Sequence, residues 1–211
     1  MMKYILVEGV TDVALIKYIC FKNGITQKFD DFIKVKNEYK YKDFIIVDLQ
    51  GQNNLDDFLI RLNKKIVKIS EIYIIQDADD NFEASLGSIK DAITKSEIDK
   101  NKIEYFLTPN DKDIGDLETL LLSTIDDNCI VKCFSEYKKC LLENNEIHTK
   151  ALNKGQVYAY TMYSQKGENL HKPQNSFMFK HDKSYVDTEL WDLSKKQFQP
   201  IIEFVLEIFK K

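Results

Sequence analysis

Arginine is nearly missing from this chain: Arg61 is the one guanidinium among its 30 basic residues. Bidentate clamps on phosphate or guanine, which the planar fork of arginine makes best, are therefore scarce. With 34 acidic residues against those 30 cations the net charge is -4, which excludes a strongly basic surface that binds nucleic acid by counterion release alone. Three prolines and seven glycines in 211 residues leave no Pro/Gly-rich linker, and no repeat or low-complexity tract divides the chain. Long apolar runs are missing too. The N-terminal one, Tyr4–Val7, is stopped by Glu8 and is too short for a signal-peptide core or a membrane span, so a cytoplasmic protein with no membrane partner is expected. Cysteine is sparse: Cys20, Cys129, Cys133 and Cys140 form no CxxC pair, and reduced thiols are expected. Joining the last three with His148 gives spacings unlike those of structural zinc sites. His148, His171 and His181 have no serine or cysteine nucleophile in a recognisable pattern and read as surface or packing residues.

What is present is a core. Hydrophobic residues make up 44% of the chain and charged ones 30%, the balance of a folded globular protein. Up to Thr108 the pattern alternates strand and helix. Apolar strands are expected at Tyr4–Val7, Phe44–Leu49, Ile72–Gln76 and Ile103–Leu107; helices over Asp12–Phe21, with Thr11 as N-cap, from Leu55 to Ile66, and over Phe82–Ser96. Such alternation predicts an α/β fold, a Rossmann-like parallel sheet of about four strands flanked by helices. Beyond Pro109 the pattern turns helical, at Leu117–Leu122, Val131–Leu142, Thr149–Tyr163 and from Pro200 onward. The division expected is an α/β core over 1–125 and a mainly helical extension over 126–211 packed on it.

Two of these strands end in acids. Glu8 follows Val7, and Asp77-Ala78-Asp79-Asp80 follows the strand that ends at Gln76. In open parallel sheets ligands bind outside the carboxyl ends of the strands. Carboxylates gathered there repel one another unless a hard divalent cation sits among them. Asp77 and Asp79 are two apart, which on an extended chain points both side chains the same way. A magnesium site is the reading, with Mn2+ as the alternative ion. The plainer alternatives are an ordinary strand-end acid for Glu8 and a helix N-cap cluster for the aspartates, a role that suits Asp80 best.

Taken together, Glu8-Gly9 with Asp12, Gly51-Gln52-Asn53 after the second strand, and Asp77-Ala78-Asp79 after the third resemble the Toprim domain. That is the metal-binding α/β unit of topoisomerases, bacterial primases, RNase M5-type maturases and overcoming-lysogenization-defect nucleases. The resemblance covers the first half of the chain. It implies that Glu8 acts as general acid or base and in some members ligates metal, and that Asp77 and Asp79 hold magnesium. Glu118, in Leu117-Glu118-Thr119-Leu120, would support a second metal, with Gly9, Asp12, Gly51 and Asp80 in supporting places. No GxxxxGK segment followed by Ser or Thr is present. The layout is most similar to the small prokaryotic group DUF3226, down to an aromatic-acidic segment, Glu189-Leu190-Trp191-Asp192, before the last helix; membership there supplies no reaction.

The function expected is Mg2+-dependent phosphoryl transfer on nucleic acid or nucleotide phosphodiesters, nuclease-like in kind, with a partner protein as one source of missing basic surface. A non-catalytic metal- or nucleic-acid-binding module is the rival. A DxD glycosyltransferase and a receiver-like domain, the latter from Thr108-Pro109, fit less of the pattern. The stretch Lys34–Lys42 interleaves lysine with tyrosine, which suits either a phosphate-tracking, base-stacking surface or a solvated loop or sheet edge.

Overall fold

The computed structural model describes residues 1–64, 69–126, 129–144, 149–164 and 190–210. His148, His171, His181 and Glu189 lie outside these residues. The fold is mixed α/β. Six strands, β1 (Met2–Val7), β2 (Ile33–Val35), β3 (Glu38–Tyr41), β4 (Phe44–Asp48), β5 (Ile69–Asp77) and β6 (Ile103–Thr108), form one sheet in the order β2-β3-β4-β1-β5-β6. β4, β1, β5 and β6 run parallel, while β2 and β3 add an antiparallel edge. Seven helices are described: α1 (Val10–Lys22), α2 (Leu55–Asn63), α3 (Phe82–Ser96), α4 (Leu117–Ser123), α5 (Cys129–Asn144), α6 (Thr149–Tyr163) and α7 (Gln199–Lys210). None of them is long and apolar enough to cross a membrane.

The strands read as continuous apolar runs because both faces of the sheet are covered. Alternate residues go to opposite layers. Ile5, Val7, Phe44, Ile46, Tyr73, Ile75 and Phe106 join the layer that holds α1, α4 and α7. Tyr4, Leu6, Ile45, Val47, Ile72, Ile74 and Leu107 meet α2 and α3 on the other side. α7 belongs to the first layer through Ile201, Val205 and Ile208, an i, i+4, i+7 stripe that is fully buried. Each such side chain stabilises by about 1.5–3 kcal/mol. The Phe209 ring stands 4.3 Å from that of Phe44 on β4, and Trp191, just before α7, is buried with its carbonyl accepting from the Tyr18 hydroxyl.

The sheet has six strands where four were expected. The additional pair is the hairpin β2–β3, which falls in the lysine–tyrosine stretch. Its strands are three and four residues long, and all of β2 is exposed, so neither alternation nor an apolar run marks them. Lys36, at φ +58°, makes the turn. The lysine–tyrosine stretch thus forms an edge of the sheet. α1 also differs: it starts at Val10, its N-cap is Gly9 and not Thr11, and it is buried from Val13 to Cys20, Lys17 included.

Chain order places a crevice. After β1 the chain moves outward to β4, and after β4 it crosses back to β5 on the other side of β1. The carboxyl ends of β1 and β5 therefore border the point where strand order reverses, where open α/β sheets bind ligands.

Candidate functional site

Register fixes which strand ends meet. Val7 stands opposite Asp48 of β4 and Ile75 of β5, and Asp77 ends β5 opposite Thr108. Glu8, one residue past β1, therefore sits between the ends of β4 and β5. Its carbonyl accepts from Gly51 N–H at 2.9 Å. Gly51 needs to be glycine, because its φ of +123° lies where L side chains are strained. Gly9 does not: its backbone is extended at φ -152°, and its N–H is received by Asp12 Oδ2 at 2.9 Å, which closes the start of α1.

These turns shape a cavity of about 380 Å³ whose wall includes Glu8, Asp12, Asp48, Asp77 and Glu118, with Gly9, Gly51 and a single cation, Lys154. Five carboxylates face one lysine. Asp77 is buried, and its Oδ1 accepts the N–H of Leu117, the first residue of α4. Glu118, in the first turn of α4, is buried as well and stands 3.6 Å from Lys154 Nζ of α6. Glu8 Oε2 is shielded from solvent. The crowding is legible in Asp12, whose carboxyl is pushed from the ordinary 3.8 up to about 7 by burial first and then by the charge of Glu8. Glu118 adds to the rise, and the Gly9 N–H opposes it.

Asp79 lies elsewhere. β5 ends at Asp77, and Asp79 turns into left-handed backbone at φ +52°, where its N–H and carbonyl pair with Gly115, both at 2.7 Å. It lines a neighbouring cavity of about 220 Å³ with Asp80, Asp116 and Asn153. The i, i+2 argument for a shared direction holds only along extended chain, and the chain is no longer extended here. Asp80 is not the cap of α3 either, since Asn81 takes that place and accepts from Ala84 N–H at 3.0 Å.

The structure thus brings Glu8, Asp12, Asp77 and Glu118 to one wall and sets Asp79 and Asp80 apart. Two charged residues of that wall escaped the sequence reading. Asp48 closes an apolar strand just as Glu8 follows one, so the same rule would have found it. Lys154 arrives through the packing of α6 beside α4 and leaves no local signal.

Among the described residues, no three His, Cys, Asp or Glu side chains stand ready as a metal-holding group. A hydrated magnesium ion asks for less, because it keeps several waters and takes one or two protein carboxylates together with substrate oxygens. The donors here are all-oxygen, acidic and in excess of cations, and the cavity has room for water. They fit such an ion.

A family model described as "Protein of unknown function (DUF3226)" matches residues 2–210. A hypothetical protein from Pyrococcus horikoshii OT3, known from its crystal structure, aligns over 98% of this chain and 100% of its own, with 15% sequence identity and a TM-score of 0.44. No curated protein matches.

Proposed function

The chain belongs to the DUF3226 family, and from that premise we propose a Toprim-like, Mg2+-dependent phosphoryl-transfer enzyme that cleaves phosphodiesters of nucleic acid or nucleotide. One observation carries the reading: Glu8 and Asp77, delivered by adjacent parallel strands, line a single acidic cavity at the strand-order reversal. Phosphate groups would be repelled from five carboxylates; a divalent cation makes the same wall attractive to them.

Asp77 and Glu118 are the residues to hold the ion, with Glu8 beside them. When bound, the ion supplies charge neutralisation at phosphate and a more acidic water. Asp77 is rigidly presented, because it is buried and tied to the first N–H of α4. Glu8 sits at the exit of the central strand with its backbone fixed by Gly51, the position of a group that takes or gives a proton at a substrate oxygen. Asp12 anchors the loop between them and holds the start of α1 in place. Asp79 supports the cavity indirectly by pinning the Gly115 strand segment that leads into α4.

A second reading, a metal-binding module without turnover, draws on the single arginine, which leaves little to clamp a phosphate substrate. Both readings are separated by a cleavage screen of the purified protein against single-stranded, duplex and hairpin DNA and RNA with Mg2+ or Mn2+. The enzyme reading expects metal-dependent cleavage that EDTA and Asp77→Asn abolish. Inactivity across the panel with retained metal binding would leave the module.

A further inference from the structure

A second cavity, of about 300 Å³, opens next to the acidic one, and Val10 at the start of α1 lines both. Its chemistry is the reverse. Two largely buried aromatic side chains, Phe29 from the α1–β2 loop and Tyr39 from β3, line it, and two ammonium groups lie over their rings. Lys17 Nζ stands 4.3 Å from the centroid of Phe29, and Lys34 Nζ stands 5.2 Å from that of Tyr39. Lys17 is buried, yet its carboxylate partner, Asp30 at 2.8 Å, is 77% exposed. An ammonium is seldom buried without strong pairing, and a mostly solvated carboxylate is a weak and exchangeable partner.

We propose that this cavity is a nucleotide subsite, in which one unstacked base lies against Phe29 and Tyr39 while Lys17 and Lys34 take the phosphate attached to it. The proposal deepens the phosphoryl-transfer reading and rests on it for the role of the neighbouring acidic cavity. Aromatic walls with lysines are how proteins hold single-stranded nucleic acid without arginine-based readout. The size suits one nucleotide, being at the lower end of ligand cavities and too small for a duplex. In a chain of net charge -4, the cavity offers two lysines against one aspartate beside a wall of five carboxylates. A strand lying across Val10 would then have one phosphate on lysine and the next one over the acids. The lysine–tyrosine stretch of the sequence acquires its purpose here, since the hairpin brings Lys34 and Tyr39 to α1.

The test measures binding in EDTA, so that metal and turnover play no part. Fluorescein-labelled hexauridylate and hexathymidylate are titrated with the full-length protein, and uridine 5′-monophosphate serves as competitor. Phe29→Ala should weaken binding by about fivefold to a hundredfold, the effect of losing one base–aromatic stack. Lys34→Ala, an exposed substitution that leaves the core intact, should weaken it and lower the salt dependence by about one phosphate contact. Asp30→Asn should strengthen it, because Lys17 is released to the incoming anion. Competition by the monophosphate at the same concentration as unlabelled hexamer would assign a free nucleotide to the subsite, and much weaker competition would assign a strand. Failure to bind any of the probes, or equal affinity in wild type, Phe29→Ala and Lys34→Ala, would overturn the subsite. Retained binding with no cleavage in Mg2+ would instead overturn the catalytic reading and leave the subsite standing.

Discussion

Asp77 and Asp79 are separated by one residue, yet they serve different cavities. The first closes β5, is buried, and faces Glu8, Asp12 and Glu118 across the mouth of the sheet. The second has left the strand, adopts a left-handed backbone and spends its N–H and carbonyl on Gly115. Around Asp79, Asp116 is also engaged: it caps α4 by accepting from both the N–H and the hydroxyl of Thr119 at 2.7 and 2.6 Å. One acidic pocket gathers five acids against a single lysine, whereas at the other the Asp79 backbone and the Asp116 side chain brace the start of α4. Acidity alone does not mark a metal site; what marks this one is five carboxylates converging on one wall at the strand-order reversal against a single cation.

The contrast is sharpest in catalysis. Glu8→Gln should lower turnover by about two to four orders of magnitude, the usual share of general acid–base catalysis, and Asp77→Asn should lower turnover and metal affinity together. Asp79→Asn should leave turnover close to wild type, because its backbone contacts survive the change. Steady-state cleavage by the three variants, on whichever substrate the screen identifies, checks this; loss of activity in Asp79→Asn equal to that in Asp77→Asn would break the distinction.

Stability gives the next effect. Magnesium at about a hundred times its dissociation constant should stabilise the wild type by about 2.7 kcal/mol, because the unfolded chain has no acidic cavity. Asp77→Asn combined with Glu118→Gln should remove that gain in a thermal melt. Gly115→Ala probes the other pocket. A Cβ there would stand 2.9 Å from Thr119 Cγ2, and the residue sits at φ +139°, so a loss of about 1–3 kcal/mol is expected, independent of magnesium. A melting temperature equal to wild type would show that the Asp79–Gly115 pairing is not a rigid support.

Much of this was legible in the sequence, and the parts that were not share a cause. The four parallel strands and α1 to α3 follow from apolar runs and helical spacing because the strands are covered on both faces and the helices pack on those two faces. The hairpin β2–β3 is silent because its strands are short and β2 faces solvent throughout. Glu8 and Asp77 were found from strand ends. Asp79 was assigned with Asp77 on a spacing rule that ceases to apply where the strand stops, and sequence does not state where that is to within two residues. Glu118 and Lys154 meet only because α4 and α6 pack against each other.

A smaller effect follows from Asp12. Its carboxyl holds a proton up to about pH 7 in the folded state, against 3.8 ordinarily, so between those values the folded chain binds more protons than the unfolded one. Stability should accordingly fall as pH rises from about 4 to about 7, and this group should contribute no further slope above that. Asp12→Asn should flatten the fall, as read from urea midpoints across that window. A slope unchanged by the substitution would place its origin in other groups.

The account stands on Asp77, and not Asp79, belonging to the cation site. Isothermal titration of Mg2+ into wild type, Asp77→Asn and Asp79→Asn, each verified as folded by its melting transition, tests this directly. Binding that Asp77→Asn abolishes and Asp79→Asn preserves is the result predicted; binding preserved in Asp77→Asn and abolished in Asp79→Asn would contradict it.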